Sequence, residues 1–371
     1  MKLLDGGEKH MATITNSRTE REKQAKKDKA LHGPLVDLGV DFVDDEPEQR
    51  IFSDDYHNHN AAFVEQTLID SNGALPVAVE EKFEDVHKQV KAKKMPYILD
   101  WKTSNKSFLD LHKDLKRLGI ANNTFFLRLY DKDLQGIDPY SAILPLEMQL
   151  KIILECIRNP WYYLREVCRI PVDGKPIESG GGTQYRIDRN NLATWYLFLN
   201  GIDHYASKPR QTGKTQDAIA KLNYAYHFGA ISATILFFNK DAGLAKENLA
   251  RMKDQRDLLP QYMQMKMAFN EEGGIDKEID NITTMKNPIT KCQVKVMPRA
   301  TSKDNAMRIG RGYTSSIMFF DEFDFINHNI TIIEASVYAY STASQNAMDS
   351  GSLYGRIFSS TPRLATIVAI T

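Results

Sequence analysis

The second half of the chain alternates between short apolar runs and longer stretches in which apolar residues recur every three or four positions. The short runs are typical of buried strands, and the longer stretches are typical of amphipathic helices. The pattern predicts strands at 204–207, 234–238, 293–297, 317–320 and 356–359, and helices at 214–228, 242–259 and 331–347. Because strands alternate with helices, we expect an α/β fold with a mostly parallel sheet flanked by helices.

The first half of the chain has a different pattern. Residues 1–60 carry a block of lysines and then a block of acidic residues, which is typical of a solvated, disordered tail. Residues 80–182 predict a mainly helical N-terminal (lid) subdomain, because apolar residues recur at helical spacing; these are Phe108, Leu111, Leu115, Leu118, Met148, Ile152, Ile153 and Cys156. Three glycines at 180–182 predict a flexible joint, and residues 183–371 form the predicted core domain.

Composition and charge narrow the class of protein. Lysine and arginine number 48, as do aspartate and glutamate, so the formal net charge is zero and any contact with nucleic acid must come from a local patch. The three cysteines lack metal-ligand spacing and fit a reducing compartment. Residues 231–238 form the most apolar stretch, which is too short to span a bilayer, and we expect no secretory signal. The expected location is therefore the cytoplasm of the cell that contains the protein, with no membrane partner.

A candidate phosphate-binding loop occupies residues 208–215, which read Lys-Pro-Arg-Gln-Thr-Gly-Lys-Thr. The loop lies where a predicted strand gives way to a helix, and free backbone N–H groups at a helix start favour a phosphate. Gly213 lets the backbone approach closely, Lys214 can reach the β- and γ-phosphates, and the Thr215 hydroxyl can bind Mg²⁺. The usual first glycine of such a loop is replaced by Lys208, so this motif alone is moderate evidence.

A second motif follows the apolar run 317–320, which leads directly into Asp321 and Glu322. Ligands bind at the carboxyl ends of parallel strands, so Asp321 is expected beside the phosphate loop. There Asp321 can hold Mg²⁺, and Glu322 can orient and activate an attacking water. The alternative for this motif alone is a strand that ends in solvated acidic residues.

The order and spacing of the two motifs favour one branch of nucleotide hydrolases. A glutamate directly after the magnesium aspartate, with an additional strand between the motifs, indicates a RecA-like (ASCE) P-loop ATPase. No guanine-recognition motif is present, so ATP is the expected nucleotide. Residues 359–362 read Ser-Ser-Thr-Pro, and the hydroxyls of Ser360 and Thr361 are candidates for sensing the γ-phosphate. The alternative is a strand that ends at a proline.

Residues 209–215 resemble the unusual phosphate loop (Walker A) of large terminase subunits of tailed bacteriophages, which typically reads Ser/Ala-Arg-Gln-x-Gly-Lys-Ser/Thr. The Asp-Glu-Phe run from residue 321 looks like the acidic motif (Walker B) of that family, and residues 359–362 are similar to its coupling motif. The stretches 126–138 and 159–166 resemble the amino-terminal subdomain of terminases from contractile-tailed phages. The resemblance covers roughly residues 120–362.

The resemblance implies a motor that uses ATP and Mg²⁺ to drive double-stranded viral DNA into a prohead. The implied partners are DNA, a portal protein, a small terminase subunit and sister subunits in a ring. Arg210 would reach the γ-phosphate, although a loop arginine paired with a carboxylate is the alternative. Gln211, Thr212, Gly213, Lys214 and Thr215 would bind the nucleotide. Family members continue into a nuclease domain after the coupling motif, and we expect that domain to be absent from this chain.

One departure from the family and two alternative functions stay open. The adenine-reading glutamine of the family has no match near residues 188–191, where Asn190 or Gln184 are substitutes. One alternative function is a helicase-like ATPase, which would need a second RecA-like domain. The other is a nucleotide-binding assembly module with little turnover.

Overall fold

The computed structural model describes residues 97–120, 124–209, 212–264 and 280–361. The predicted tail at 1–60 therefore lies outside the described residues. The chain divides into two compact units. The described part of the smaller unit is residues 112–120 and 124–125, and every other described residue belongs to the larger unit.

Ten strands and eight helices are present in the described residues. The strands are β1 (Ile98–Leu99), β2 (Arg128–Leu129), β3 (Arg169–Ile170), β4 (Thr183–Gln184), β5 (His204–Ser207), β6 (Thr234–Phe238), β7 (Thr284–Lys286), β8 (Gln293–Val296), β9 (Ile317–Asp321) and β10 (Gly355–Ser360). The helices are α1 (Lys106–Arg117), α2 (Leu146–Arg158), α3 (Pro160–Tyr162), α4 (Arg189–Leu199), α5 (Lys214–Tyr224), α6 (Ala242–Asp257), α7 (Lys303–Arg311) and α8 (Asn329–Asp349). Single π-helical turns extend α3 and α5.

A six-stranded sheet forms the centre of the larger unit, with strand order β5-β10-β9-β6-β8-β7. The first five strands are parallel, and β7 pairs antiparallel with β8 at one edge. This arrangement confirms the predicted α/β class with a mostly parallel sheet flanked by helices. Two further antiparallel pairs, β1–β2 and β3–β4, lie outside this sheet.

Aromatic side chains form a row across the middle of the sheet. Phe320 lies opposite Phe238 on one side and Phe358 on the other in the strand register. The rings are stacked, with centroids 4.4 Å apart for Phe238–Phe320 and 5.0 Å apart for Phe320–Phe358. Because stacked rings bury a large apolar area, this row stabilises the register of the three strands. The next residue along each strand is then held at a common level.

The predicted strands at 204–207, 234–238, 293–297, 317–320 and 356–359 agree with β5, β6, β8, β9 and β10 within one residue at each end. Within the described part of residues 183–361, the prediction missed β4, β7, α4 and α7. It was also wrong for Leu118, which lies beyond the end of α1 and is 56% exposed, so it does not continue the apolar face of that helix.

Helix α7 packs closely against α8, and the contact takes place at Gly310. A Cβ atom at Gly310 would lie 2.6 Å from the Ile332 carbonyl oxygen and 2.7 Å from the Ala335 Cβ. The close contact therefore needs a glycine inside the helix, a residue that weakens a helix prediction.

Among the residues that the structure describes, no helix combines the length and apolar character needed to cross a bilayer.

Candidate active site

Three neighbouring strands place polar residues at one level at their carboxyl ends. Ser359 on β10 lies opposite Asp321 on β9 in the register, and Asn239 directly follows the last residue of β6. These residues come immediately after the row of stacked phenylalanines. The carboxyl edge of a parallel sheet is where ligands bind in folds of this class. A polar cluster at this edge is therefore a candidate site.

The loop between β5 and α5 borders the same edge. Gly213 adopts a left-handed conformation with φ 74°, and α5 begins at the next residue, Lys214. The Thr212 hydroxyl donates to the Pro209 carbonyl oxygen at 2.8 Å and so ties the loop to itself. The first backbone N–H groups of a helix lack partners within the helix and carry a partial positive charge. This start of α5 can therefore attract an anion such as a phosphate.

Asp321 is the carboxylate at the centre of the cluster and is only 4% exposed. Its Oδ1 accepts hydrogen bonds from the hydroxyls of Ser359 at 2.7 Å and Thr215 at 3.3 Å. Its Oδ2 accepts from the amides of Asn248 at 2.9 Å and Asn239 at 3.3 Å, and the Thr215 hydroxyl lies 3.4 Å from this oxygen too. All of these donors are neutral, and within the described ranges no lysine or arginine forms an ion pair with Asp321. The buried negative charge is hydrogen-bonded but is not neutralised.

Glu322 lies beside Asp321 in a different environment. Its backbone is left-handed, with φ 52° and ψ 45°, which is uncommon for a residue with a side chain. The Lys214 Nζ lies 3.0 Å from Glu322 Oε1 and donates to the Thr361 hydroxyl at 2.6 Å. The Thr361 hydroxyl lies 3.4 Å from the same Glu322 oxygen. Lys214, Glu322 and Thr361 therefore form one connected group at the start of α5.

The oxygen atoms of Asp321 and Thr215 are suitable ligands for a magnesium ion. Mg²⁺ prefers hard oxygen ligands and commonly takes only one or two from the protein, with the rest from phosphates and water. Asp321 and the Thr215 hydroxyl are such oxygens and lie close together. Across the described residues no group of three or more histidine, cysteine, aspartate or glutamate side chains could hold a metal by itself. A Mg²⁺ ion here would take its remaining ligands from a bound phosphate and from water.

The structure brings together five of the residues predicted from the sequence: Lys214, Thr215, Asp321, Glu322 and Thr361. Ser360 is buried next to them, but its hydroxyl accepts from the backbone N–H of Asp324 at 3.3 Å and its carbonyl accepts from the Lys208 N–H at 3.2 Å. Ser359, rather than Ser360, contacts Asp321.

Other predicted residues are placed elsewhere or not described. Thr212 and Gly213 lie on the loop that leads into α5. Arg210 and Gln211 lie outside the described residues, as does Pro362. Of the candidates for reading adenine, Gln184 donates to the Ser104 hydroxyl at 2.8 Å, and Asn190 is exposed at the start of α4.

Sequence reasoning missed two site residues, Asn239 and Asn248. Asn239 could have been found, because it directly follows the predicted strand 234–238 and so belongs at the same sheet edge as Asp321. Asn248 carries no such signal. It lies on α6, and the packing of that helix brings its amide to Asp321.

A second buried carboxylate, Asp217, lies one turn further along α5. It accepts hydrogen bonds from Lys221 at 2.5 Å, from Trp195 at 3.0 Å, from Thr194 at 3.2 Å and from the Tyr185 hydroxyl. Burial acts to raise the pKa of Asp217. The charge of Lys221 and the hydrogen bonds from Lys221 and Tyr185 outweigh that effect, so the pKa lies below its ordinary value. The negative charge of this carboxylate is therefore balanced by Lys221.

The residues around that ion pair include a buried histidine. Burial, with a smaller contribution from the positive charge of Lys221, lowers the pKa of His204 to about 4. Its Nδ1 lies 3.2 Å from the Ile202 carbonyl oxygen, and its Nε2 has no hydrogen-bond partner in the described part of the chain. His204 is therefore held in its neutral form at physiological pH.

The fold and the geometry define a class: a mixed α/β protein with two carboxylates facing a helix start at the carboxyl edge of a mostly parallel sheet. No known protein-family model matches this chain, and a search of curated proteins finds no match.

Proposed function

We propose that the chain is the ATP-hydrolysing motor domain of a viral DNA-packaging terminase, with a RecA-like fold. The observation that carries this proposal is the pair of contacts between α5 and the end of β9. Thr215 meets Asp321 and Lys214 meets Glu322, although more than a hundred residues separate the two segments in sequence. These four residue types in this pairing are those that a Mg²⁺-dependent nucleotide hydrolase needs.

Each residue has a chemical role in this proposal. The start of α5 and the Lys214 ammonium bind the β- and γ-phosphates, and the three donors of the ammonium allow it to keep Glu322 or Thr361 as a partner. Thr215 and Asp321 hold Mg²⁺, which neutralises phosphate charge when bound. Glu322 orients the attacking water and accepts its proton.

The resemblance to terminases suggests roles for two further residues, Thr361 and Arg210. Thr361 contacts both Lys214 and Glu322, so a change at the γ-phosphate can alter its hydrogen bonds and signal along β10. Arg210 supplies a planar, permanently charged group for the γ-phosphate.

The proposed partners are double-stranded viral DNA, a portal protein, a small terminase subunit and sister copies in a ring. Because the chain has no net charge, we expect it to bind DNA weakly by itself. Any binding that occurs should weaken steeply with salt, since contacts to phosphates release counterions.

The test is steady-state ATP hydrolysis by the parent and by Glu322→Gln, in Mg²⁺, with and without double-stranded DNA. We expect turnover in the parent and a loss on the order of 10²-fold or more in the variant, because a general base contributes about that much. Glu334→Gln makes the same chemical change at an exposed position on α8 and should behave as the parent.

Two outcomes would contradict parts of the proposal. Turnover that survives in Glu322→Gln would remove Glu322 from its role. A parent that binds ATP but does not hydrolyse it, even with DNA and a portal-bearing prohead, would favour the assembly module. An increase in turnover with DNA would support a motor coupled to DNA.

A further inference from the structure

Two buried asparagines hold the same oxygen of Asp321. Asn239 and Asn248 are 7% and 2% exposed. Their amide nitrogens lie 3.3 Å and 2.9 Å from Asp321 Oδ2. They come from different elements, because Asn239 follows β6 and Asn248 belongs to α6. Two independent segments therefore converge on one carboxylate oxygen.

The other end of each amide is also held. Asn239 Oδ1 accepts from the backbone N–H of Lys240 at 2.7 Å, and Asn248 Oδ1 accepts from the Arg251 guanidinium at 3.1 Å. A flipped amide would turn its oxygen towards the carboxylate and its NH₂ towards another donor. These contacts therefore fix both amides with their nitrogens facing Asp321.

The two oxygens of Asp321 consequently differ in what their donors can do. Oδ2 faces amides that can only donate in this orientation. Oδ1 accepts from the Ser359 hydroxyl at 2.7 Å, and the Thr215 hydroxyl lies 3.3 Å from Oδ1 and 3.4 Å from Oδ2. Both hydroxyls can rotate and present a lone pair instead. A cation that approaches Oδ1 can keep both hydroxyl oxygens nearby, whereas a cation at Oδ2 would have to displace the amides.

We propose that Asn239 and Asn248 are positioning residues that hold Oδ2 of Asp321 and so present Oδ1 to the divalent ion of a bound nucleotide. Arg251 acts one step further out by holding the Asn248 amide. This inference rests on the proposed function, since it concerns how the same site binds Mg²⁺ with a nucleotide. It adds α6 to the elements that determine metal affinity.

The test compares nucleotide affinity with and without the metal, so it does not depend on hydrolysis. Binding of a fluorescent ADP analogue is measured in Mg²⁺ and in EDTA. The dissociation constant in EDTA divided by that in Mg²⁺ gives the contribution of the metal, and this value is called the ratio below. Asn248→Leu keeps the branched shape of the side chain but removes the amide. We expect it to reduce this ratio about 10-fold or more, the size of effect seen when residues behind a metal ligand are removed.

Two variants of surface residues on α6 provide a matched pair. Arg251 is 43% exposed as a side chain, and Lys246 is exposed on the same helix. Each loses one positive charge on substitution by glutamine. We expect Arg251→Gln to reduce the ratio a few-fold and Lys246→Gln to leave it unchanged. Because Arg251 acts through Asn248, the double variant Arg251→Gln/Asn248→Leu should match Asn248→Leu alone.

The outcomes separate this inference from the proposed function. If Asn248→Leu keeps the parental ratio, or loses affinity equally in Mg²⁺ and in EDTA, the positioning role is overturned. If Asn248→Leu does not fold, as judged by thermal unfolding, the Arg251→Gln and Lys246→Gln pair decides the question. A parent that shows a metal effect but no ATP turnover retracts the motor and leaves this inference standing. A parent with no metal effect overturns the inference.

Discussion

Asp321 and Asp217 are both buried carboxylates beside the first turns of α5, yet their surroundings differ in one respect. Asp321 is 4% exposed and accepts only from neutral hydroxyls and amides, whereas Asp217 is 6% exposed and pairs with the Lys221 ammonium. Both satisfy their hydrogen-bonding capacity. Only Asp217 has its charge balanced within the described part of the protein.

The difference separates a structural role from a functional one. Burying a charge without a counter-charge is costly, so an uncompensated buried carboxylate gains from a cation that arrives from outside. Asp217 has no such need, because Lys221 is part of the same helix. We therefore infer that the Asp217 cluster supports the fold and the Asp321 cluster supports binding. Replacement by asparagine should therefore mainly reduce stability at Asp217 and mainly reduce metal-dependent binding at Asp321.

The largest expected effect is on the Asp217 cluster. Asp217→Asn leaves the buried Lys221 charge unpaired, and we expect the free energy of unfolding to fall by about 3–5 kcal/mol. Urea denaturation at neutral pH measures it. Asp173→Asn, at an exposed turn position, is the control and should change stability little. A loss below about 1 kcal/mol for Asp217→Asn would show that the ion pair is dispensable.

The next effect concerns acid stability near the same ion pair. His204 has an ordinary pKa of 6.5 and a folded-state pKa of about 4, so between these values the unfolded chain binds a proton that the folded chain does not. Stability contributed by neutral His204 is therefore complete above pH 6.5 and is lost as the pH falls towards 4. The expected loss is on the order of 3 kcal/mol.

The variant His204→Phe removes this proton-binding site while keeping an aromatic ring. We expect its stability to fall less than that of the parent when urea denaturation is repeated at pH 7, 5.5 and 4.5. His227, whose pKa burial also lowers to about 4, is unchanged in both proteins and contributes equally. An identical pH dependence in parent and variant would mean that folding does not lower the pKa of His204.

The smallest expected effect on stability is at Asp321. Asp321→Asn removes a buried charge that has no counter-charge, and the hydroxyls of Thr215 and Ser359 can rotate to accept from the new amide. We expect the free energy of unfolding to change by no more than about 1 kcal/mol. The effect of Mg²⁺ on nucleotide affinity should be lost in the same variant. A destabilisation as large as that of Asp217→Asn would remove the distinction between the two clusters.

Much of the sheet and part of the site follow from local sequence patterns. The apolar runs that became β6, β9 and β10 are bounded by polar residues, so their carboxyl ends could be predicted. Lys214 and Asp321 could be placed near each other, because parallel strands end at one edge. The edge strand β7 was missed, since it has only three residues and follows an undescribed stretch without a clear pattern.

The remaining site residues depend on tertiary packing. Asn248 reaches Asp321, and Arg251 reaches Asn248, only because α6 packs against β6; nothing in their own segment indicates a metal site. The choice between Ser359 and Ser360 depends on which serine shares a face of the sheet with Asp321, its neighbour on β9. The alternation of a strand offers both possibilities until the register is known.

The strand order also has a consequence for the synthesis of the protein. Strand β10, the last of the described chain, lies between β5 and β9, and it is the neighbour of β5 within the described sheet. While the polypeptide emerges from the ribosome, β5 cannot complete its pairing until residue 360 has been made. Contacts between such distant segments form slowly, and unpaired strand edges favour aggregation. A nascent chain of this protein would therefore profit from a chaperone during the synthesis of the roughly 150 residues between the two strands.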